Sequence, residues 1–165
     1  MTFLDSATDP KQAQARALKL FVLVTLAIGV SAGLFTQPSI PTWYAHLTRP
    51  AIAPPNWVFA PVWTTLYVMM ACAAWRVWKQ TGLKSPQMIA YAVQLALNFA
   101  WSAIFFAAHM IFAALVEIVV LDIAILATLV LFWRRDRLSA LLFAFYLGWA
   151  LFATVLTHAF WRLNG

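Results

Sequence analysis

Long stretches without charged residues are the feature that most constrains how this chain folds. Leu20–Pro50 contains a single charged residue, Arg49, and no Asp, Glu, Lys or Arg occurs from Ser85 to Val116. A helix needs about 20 apolar residues to cross the hydrocarbon core of a bilayer. The composition, 64% hydrophobic and 10% charged, also differs from that of soluble domains. The sequence therefore predicts an all-α membrane protein.

The apolar runs divide into five predicted transmembrane helices. Asp9-Pro10-Lys11-Gln12 is typical of a helix start, so we expect the N-terminal arm to begin a helix. The long run that ends at Trp133 is about twice one span, and we divide it near His109. A signal peptide cleaved near Ser31-Ala32-Gly33 is the alternative for the first span, but the apolar run is long for one. The prediction is one five-helix domain, residues 1–165, with spans at 17–36, 56–79, 86–107, 111–133 and 138–161.

Five prolines crowd the connection between the first two spans: Pro38, Pro41, Pro50, Pro54 and Pro55. Proline removes a backbone donor and disrupts helix interiors, so residues 36–55 are not expected to form a regular helix. This is also the longest connection in the chain, and long connections are often functional. We expect residues 37–55 to form a lid.

The basic residues predict the orientation in the membrane. Nine of the 11 Lys and Arg residues lie in the N-terminal arm, the second-to-third connection or the fourth-to-fifth connection. The other two are Arg49 and Arg162. The positive-inside rule then places the N-terminus in the cytoplasm and the C-terminus outside. A net charge of +6 does not indicate nucleic-acid binding here, because the charges are short clusters between apolar runs rather than one basic face.

Sequence motifs of soluble enzymes are absent, including phosphate loops, zinc-binding helices and nucleophile elbows. The single cysteine permits no internal disulfide, and no metal site is expected. His46, His109 and His158 are far apart in sequence and lie near predicted helix ends. They are either interfacial residues or a haem-ligating pair.

The third predicted helix carries a polar and aromatic face. Gln94, Asn98, Trp101 and Phe105 follow the spacing that places residues on one side of a helix. Amide groups are costly in lipid, so this face is expected to point into the bundle. It predicts either a ligand cavity with an amide anchor and aromatic walls or simple hydrogen bonding between helices.

Two carboxylates, Glu117 and Asp122, lie in the fourth predicted span. An intramembrane carboxylate is a candidate functional group, here for proton-coupled transport. The alternative is a protonated or internally paired side chain. Five residues correspond to about 140° around a helix, so the two are not expected to form one paired site.

Several tryptophan-rich motifs make the sequence similar to a known family. The second span and its preceding loop contain Trp43-Tyr44, Arg49-Pro50, Pro54-Pro55, Trp57-Val58-Phe59 and Pro61-Val62-Trp63-Thr64. The third helix adds Gln94-Leu95, Asn98, Trp101-Ser102 and Phe105-Phe106, and the fifth adds Tyr146-Leu147, Trp149, Phe152-Ala153-Thr154 and Trp161-Arg162-Leu163-Asn164. Over residues 20–164 the chain resembles the translocator protein family, also called tryptophan-rich sensory proteins or peripheral benzodiazepine receptors.

The resemblance implies a five-helix bacterial membrane protein, usually a homodimer, with a cavity that opens toward the first loop. Family members bind protoporphyrin, haem, sterols and benzodiazepine-type ligands, so a tetrapyrrole would be a ligand and no cofactor is required. Trp63 and Trp149 match two cavity tryptophans linked to light-dependent protoporphyrin breakdown in some bacterial members. The predicted ligand-contacting residues are Trp43, His46, Arg49, Trp57, Phe59, Trp63, Gln94, Asn98, Trp101, Tyr146, Trp149 and Ala153.

Three functions follow as hypotheses: a tetrapyrrole-binding sensor, a porphyrin transporter and a photo-oxidative enzyme. Some positions depart from the family pattern. Ala53 stands where an aromatic residue often precedes Pro-Pro, and His158 replaces the tyrosine of the animal sterol motif. Sterol recognition through that motif is therefore not expected. Ala96, Ala100, Ala103 and Ala107 form a stripe of small residues that we predict as the dimer interface.

Overall fold

The computed structural model describes residues 9–165, and these form a bundle of five helices joined by short connections and one long loop. All five are long and apolar enough to cross a membrane, which confirms the predicted fold class. No strand occurs within residues 9–165. The helices are α1 (Pro10–Ser39), α2 (Phe59–Thr81), α3 (Pro86–Ser102, continued by a π-helical turn at Ala103–Ala107), α4 (Ile111–Trp133) and α5 (Arg137–Asn164).

The two ends of helix α1 show how the sequence sets its limits. The Asp9 side chain accepts a hydrogen bond from the backbone N–H of Lys11 at 3.0 Å, and Pro10 occupies the first turn, as the start signal predicts. At the other end α1 continues through Pro38 to Ser39, which the proline content did not predict. Pro38 lies in the last turn, where the missing N–H costs one hydrogen bond and leaves the preceding turns intact.

The division between α3 and α4 falls at His109, as the sequence analysis proposed. The π-helical turn ends at Ala107, and His109 has a φ of 57°, in the left-handed region that side chains seldom adopt. The left-handed conformation of His109 ends α3 and turns the chain into α4, which begins at Ile111.

The helix ends and the connections between them lie at two opposite ends of the bundle. At the basic end, which holds the start of α1 and the α2–α3 and α4–α5 connections, the Arg76 guanidinium donates to the Asp136 carboxylate at 2.5 and 3.1 Å. At the loop end, the Asn164 side chain at the end of α5 accepts from the backbone N–H of Thr48 and donates to its carbonyl. The loop end contains the proline loop, residues 40–58, which connects α1 to α2 through turns at Tyr44–His46 and Asn56–Val58.

The buried core lies mainly between α2, α3, α4 and α5. Alanines on α2 (Ala71, Ala73 and Ala74) are completely buried, as is Ala114 on α4. Small residues at such positions let helix backbones approach closely, which is how membrane helices gain packing energy without a hydrophobic driving force. The large apolar residues that are exposed on the outside are what a lipid-facing surface requires.

Candidate functional site

A cavity of about 410 Å³ lies inside the loop-end half of the bundle. Its walls come from α1, α2, α3 and α5, and the proline loop covers part of it through Tyr44 and Asn56. The volume falls within the range of small-molecule pockets, and most of the lining is apolar or aromatic. Six of the predicted ligand-contacting residues line it: Phe59, Trp63, Asn98, Trp101, Trp149 and Ala153.

Three tryptophans form the aromatic part of the wall, each from a different helix. Trp63 lies on α2, Trp101 on α3 and Trp149 on α5. Trp101 stacks on Phe105, with ring centroids 5.2 Å apart, and Trp149 meets the edge of Phe59 at 6.0 Å. The buried indole N–H groups of Trp101 and Trp149 have no hydrogen-bond partner in the described part of the chain. These indoles offer flat apolar faces together with free donors.

The polar face of α3 forms a hydrogen-bond network below the aromatic wall. The Tyr67 hydroxyl donates to Asn98 Oδ1 at 2.6 Å, and Asn98 Nδ2 donates to the Tyr146 hydroxyl at 3.0 Å. Asn98 thus joins α2, α3 and α5 while also lining the cavity. Both interpretations of this face hold for Asn98, which is an interhelical link and part of the cavity wall.

Two of the predicted residues lie behind the wall. Tyr146 is completely buried and contacts the cavity wall through its hydrogen bond to Asn98 and the edge-to-face packing of its ring on Trp63. Gln94 is also completely buried, and its Nε2 donates to the Tyr91 carbonyl one turn earlier on the same helix. Neither lines the cavity. Gln94 lies one turn farther from the loop end than Asn98, where the helices are packed rather than separated.

Three more of the predicted ligand-contacting residues, Arg49, His46 and Trp57, lie on the proline loop, outside the cavity wall. Arg49 donates to the Asn56 side chain at 2.9 Å and to the Pro54 carbonyl at 2.8 Å, which holds the loop closed on itself. His46 Nδ1 contacts the Thr42 carbonyl, and its ring is exposed. Trp57 is 74% exposed, the highest value among the exposed large hydrophobic residues, so its indole is available to lipid or solvent.

Trp43 attaches the proline loop to the α3–α4 connection. Its indole stacks on the His109 ring, with centroids 4.3 Å apart and planes 14° from parallel. Next to it, Tyr44 lies under the Arg49 guanidinium, 5.7 Å from the ring centroid. Burial raises the pKa of Tyr44, while the charge of Arg49 opposes that shift, so the hydroxyl stays neutral at physiological pH.

Sequence reasoning placed no site residue on α1, yet this helix supplies a whole wall of the cavity. The lining residues of α1 are single residues or neighbouring pairs that recur every three or four positions: Leu26, Gly29–Val30, Ala32–Gly33 and Thr36–Gln37. Ile40, the first residue of the proline loop, continues this stripe. The pair Gly29 and Gly33, four residues apart in an apolar helix, was the available signal. Tyr67 of α2 also lines the cavity and was not among the predicted residues.

The α4 carboxylates lie apart from the cavity wall. Asp122 accepts from the Thr154 hydroxyl of α5 at 2.7 Å, and its other oxygen has no partner in residues 9–165. Neither oxygen of Glu117 has a partner there. The two carboxylates are not hydrogen-bonded to each other, in agreement with their predicted positions around the helix. Within the described residues, no group of three His, Cys, Asp or Glu is placed to hold a metal ion.

Comparison with known proteins places these features in a family. The family model described as TspO/MBR matches residues 21–162. The chain is 40% identical to the tryptophan-rich protein TspO of Archaeoglobus fulgidus over 144 residues, which are 87% of this chain and 94% of that protein. It is 38% identical to the tryptophan-rich sensory protein of Cereibacter sphaeroides, over 90% of this chain and 92% of that protein. It is 40% identical to the human translocator protein, over 74% of this chain and 75% of that protein. The match spans all five helices, and the chain belongs to the TspO/MBR family.

Proposed function

We propose that this membrane protein is a sensor that binds flat hydrophobic ligands, tetrapyrroles such as protoporphyrin or haem, inside the bundle. The observation that carries the proposal is the placement of Trp63, Trp101 and Trp149 around one cavity. Indole rings stack well on planar aromatic faces. A tetrapyrrole presents such a face together with a carboxylate edge.

The cavity has an apolar side and a polar side that match such a ligand. Asn98 and Tyr67 supply the polar groups at the deep end, and Asn56 supplies an amide under the proline loop. Arg49 donates a hydrogen bond to Asn56, which lines the cavity. The Arg49 guanidinium is therefore close enough to pair with the carboxylate of a ligand below the loop. The proline loop then acts as a lid that responds to the ligand.

The relatives' names support a role in sensing or translocation. The protein of Cereibacter sphaeroides is called a sensory protein and the human protein a translocator. For this chain we propose sensing, in a homodimer whose N-terminus faces the cytoplasm. The basic end, with Arg76 and the cluster Arg134–Arg137, is the cytoplasmic side in this proposal.

Titration of the purified protein with protoporphyrin IX in the dark tests the proposal. We expect saturable binding, followed through the porphyrin absorption band, that weakens at least about tenfold when Trp63 and Trp149 are both replaced by Ala. Trp133→Ala is the matched control, because this exposed tryptophan lies at the basic end, away from the cavity. Absence of saturable binding, or equal affinity in the double variant, would refute the proposal.

Illumination distinguishes a second candidate, light-dependent degradation of protoporphyrin. It is favoured by the presence of both Trp63 and Trp149 on the cavity wall, where an excited ligand would contact an oxidisable indole. In this case, light and oxygen convert bound protoporphyrin to a new absorbing product. The product should disappear in Trp63→Phe or Trp149→Phe, whereas a sensor alone forms none.

Transport of an amphipathic ligand is a third candidate, favoured by the two intramembrane carboxylates. The buried carboxylate of Glu117 has no partner among the described residues and that of Asp122 has one, the Thr154 hydroxyl, and such intramembrane carboxylates are typical of proton relays. Uptake into liposomes should then respond to a pH gradient and be lost in Glu117→Gln or Asp122→Asn. Binding with no gradient-driven uptake would leave sensing as the function.

A further inference from the structure

We propose that Gly29 and Gly33 of α1 determine which ligands fit the cavity, by making one wall from helix backbone instead of side chains. The inference rests on the proposed function, because it concerns the same cavity. Among the described residues, α1 is the first helix and has the fewest buried positions of the five candidate spans. It nevertheless contributes more lining residues than any other helix.

Gly33 lies at the centre of the cavity-facing stripe. Leu26, Gly33 and Ile40, the residue that caps α1, are separated by seven residues each, so they lie nearly in line along the helix axis, and all three line the cavity. The other lining residues of α1 fall on both sides of that line. A side chain at position 33 would therefore point at the cavity.

The space in front of Gly33 is empty. A Cβ atom built at this position meets no atom within 4 Å. The φ of Gly33 is that of an ordinary helix residue, so the backbone does not require glycine. Glycine in a helix interior is unfavourable relative to alanine by about 1 kcal/mol. What glycine contributes here is open volume for the ligand.

Gly29 acts differently, through Tyr67. A Cβ atom at position 29 would lie 2.3 Å from Cε2 and 2.6 Å from Cδ2 of the Tyr67 ring, which is closer than atoms can approach. The missing side chain therefore lets the Tyr67 ring pack directly on the α1 backbone. From that position its hydroxyl reaches Asn98 at 2.6 Å. Gly29 thus positions the polar floor of the cavity, and Gly33 keeps its side open.

A graded series at Gly33 tests the first half of the inference. The probes are protoporphyrin IX and quinoline, a flat aromatic compound of two rings that is much smaller. We expect the Kd for protoporphyrin to rise from Gly33→Ala to Gly33→Val to Gly33→Leu, by roughly tenfold or more for leucine. Quinoline should retain most of its affinity.

Gly148→Leu is the matched control for this series. Gly148 is exposed on α5, a Cβ atom there also meets nothing within 4 Å, and the residue does not line the cavity. Its affinities for both probes should stay unchanged. If Gly33→Leu does not fold, Gly33→Ala adds one methyl group to open space and still tests the inference, with a smaller rise in Kd and a Tm that is higher than that of the unsubstituted chain.

The outcomes separate the inference from the proposed function. If the unsubstituted chain binds neither probe, the proposed function fails. If it binds protoporphyrin and the Gly33 variants bind it equally well, the proposed function stands and the glycine wall is refuted. Gly29→Ala should lower the Tm and weaken both probes, because it displaces Tyr67 from Asn98; an unchanged Tm together with unchanged affinities would refute the role of Gly29.

Discussion

The two halves of this bundle are built from the same helices but packed differently. In the half near the basic end, Met70 and Val77 of α2 and Phe132 and Phe143 of α4 and α5 have no exposed surface. In the half near the loop end, α2 and α5 instead present Trp63 and Trp149 to an open cavity. We call these the packed half and the cavity half.

Residue size explains the difference. In the packed half, alanines on α2 and Ala140 on α5 let the helices approach closely, and large residues fill the remaining space. In the cavity half, broad indoles meet the glycines of α1, and the shapes are not complementary. Close packing in the packed half fixes the positions of the helices, so they remain separated at the loop end. The cavity can therefore stay open in a stable bundle.

Phe143→Ala should have the largest effect on stability. Phe143 is completely buried in the packed half, where it contacts the rings of Phe132 and Tyr146. Removal of the ring should lower the free energy of unfolding by about 3 kcal/mol or more. Phe59→Ala, on the cavity wall, should cost clearly less because that ring already borders empty space.

Denaturation by sodium dodecyl sulfate in mixed micelles measures both changes. Phe145→Ala is the control, since this α5 residue is 61% exposed on the outer surface. A Phe59→Ala variant as destabilised as Phe143→Ala would contradict the division into a packed half and a cavity half.

Asn98→Leu should have the next largest effect, because Asn98 joins the two halves. The substitution leaves the buried hydroxyls of Tyr67 and Tyr146 without their amide partner. We expect a loss of about 1–3 kcal/mol in stability and weaker ligand binding. Tyr67→Phe removes one of the two bonds and should cost about half as much in the same micelle titration. Stability equal to that of the unsubstituted chain would show that the network contributes only to the cavity wall.

Asp136→Asn should cost about 1 kcal/mol or less at neutral pH, since Arg76 is partly exposed and solvent screens the pair. Hydrogen bonds from Arg76 lower the pKa of Asp136 to about 2. A carboxyl with a lowered folded-state pKa stabilises the fold above its ordinary value near 4. That contribution is lost as the pH falls from about 4 through about 2.

Melting curves between pH 7 and pH 2 test this prediction. The stability difference between the unsubstituted chain and Asp136→Asn should shrink over that acidic window, and the variant should retain its cooperative transition. A difference that does not depend on pH would show that the ion pair contributes nothing at the basic end.

Substitutions at the Trp43–His109 contact should have an effect on stability similar in size to that of Asp136→Asn, and they should act only in the cavity half. Trp43→Ala removes the stacked pair, which is worth about 1 kcal/mol. His109→Gly removes the same stacking but also relieves the strain of a left-handed backbone at a residue with a side chain. The two effects on the free energy of unfolding should nearly cancel. Limited proteolysis of the proline loop should accelerate in Trp43→Ala. Equal cleavage rates in this variant and the unsubstituted chain would mean that the stack does not hold the loop.

Much of the helix pattern could be predicted from local chemistry. The start of α1 at Asp9-Pro10 and the break at His109 follow from residue type and from the length that a bilayer requires. The extension of α1 through Pro38 did not follow, because the cost of a proline depends on its distance from the helix end.

For the cavity, too, some features follow from the sequence and others only from the tertiary structure. The sequence by itself determined that Asn98 and Trp101, on one face of α3, would point inward, since the amide cannot be satisfied in lipid. The cavity positions of Trp63 and Trp149 were implied by the family resemblance. Only the tertiary structure decided that Gln94 packs behind the wall and that α1 supplies the opposite side. Helical spacing defines the face on which a residue lies, but it does not define how far apart two helices are at that depth. That separation depends on side chains from several helices at once, and it is what makes one half of this bundle solid and the other hollow.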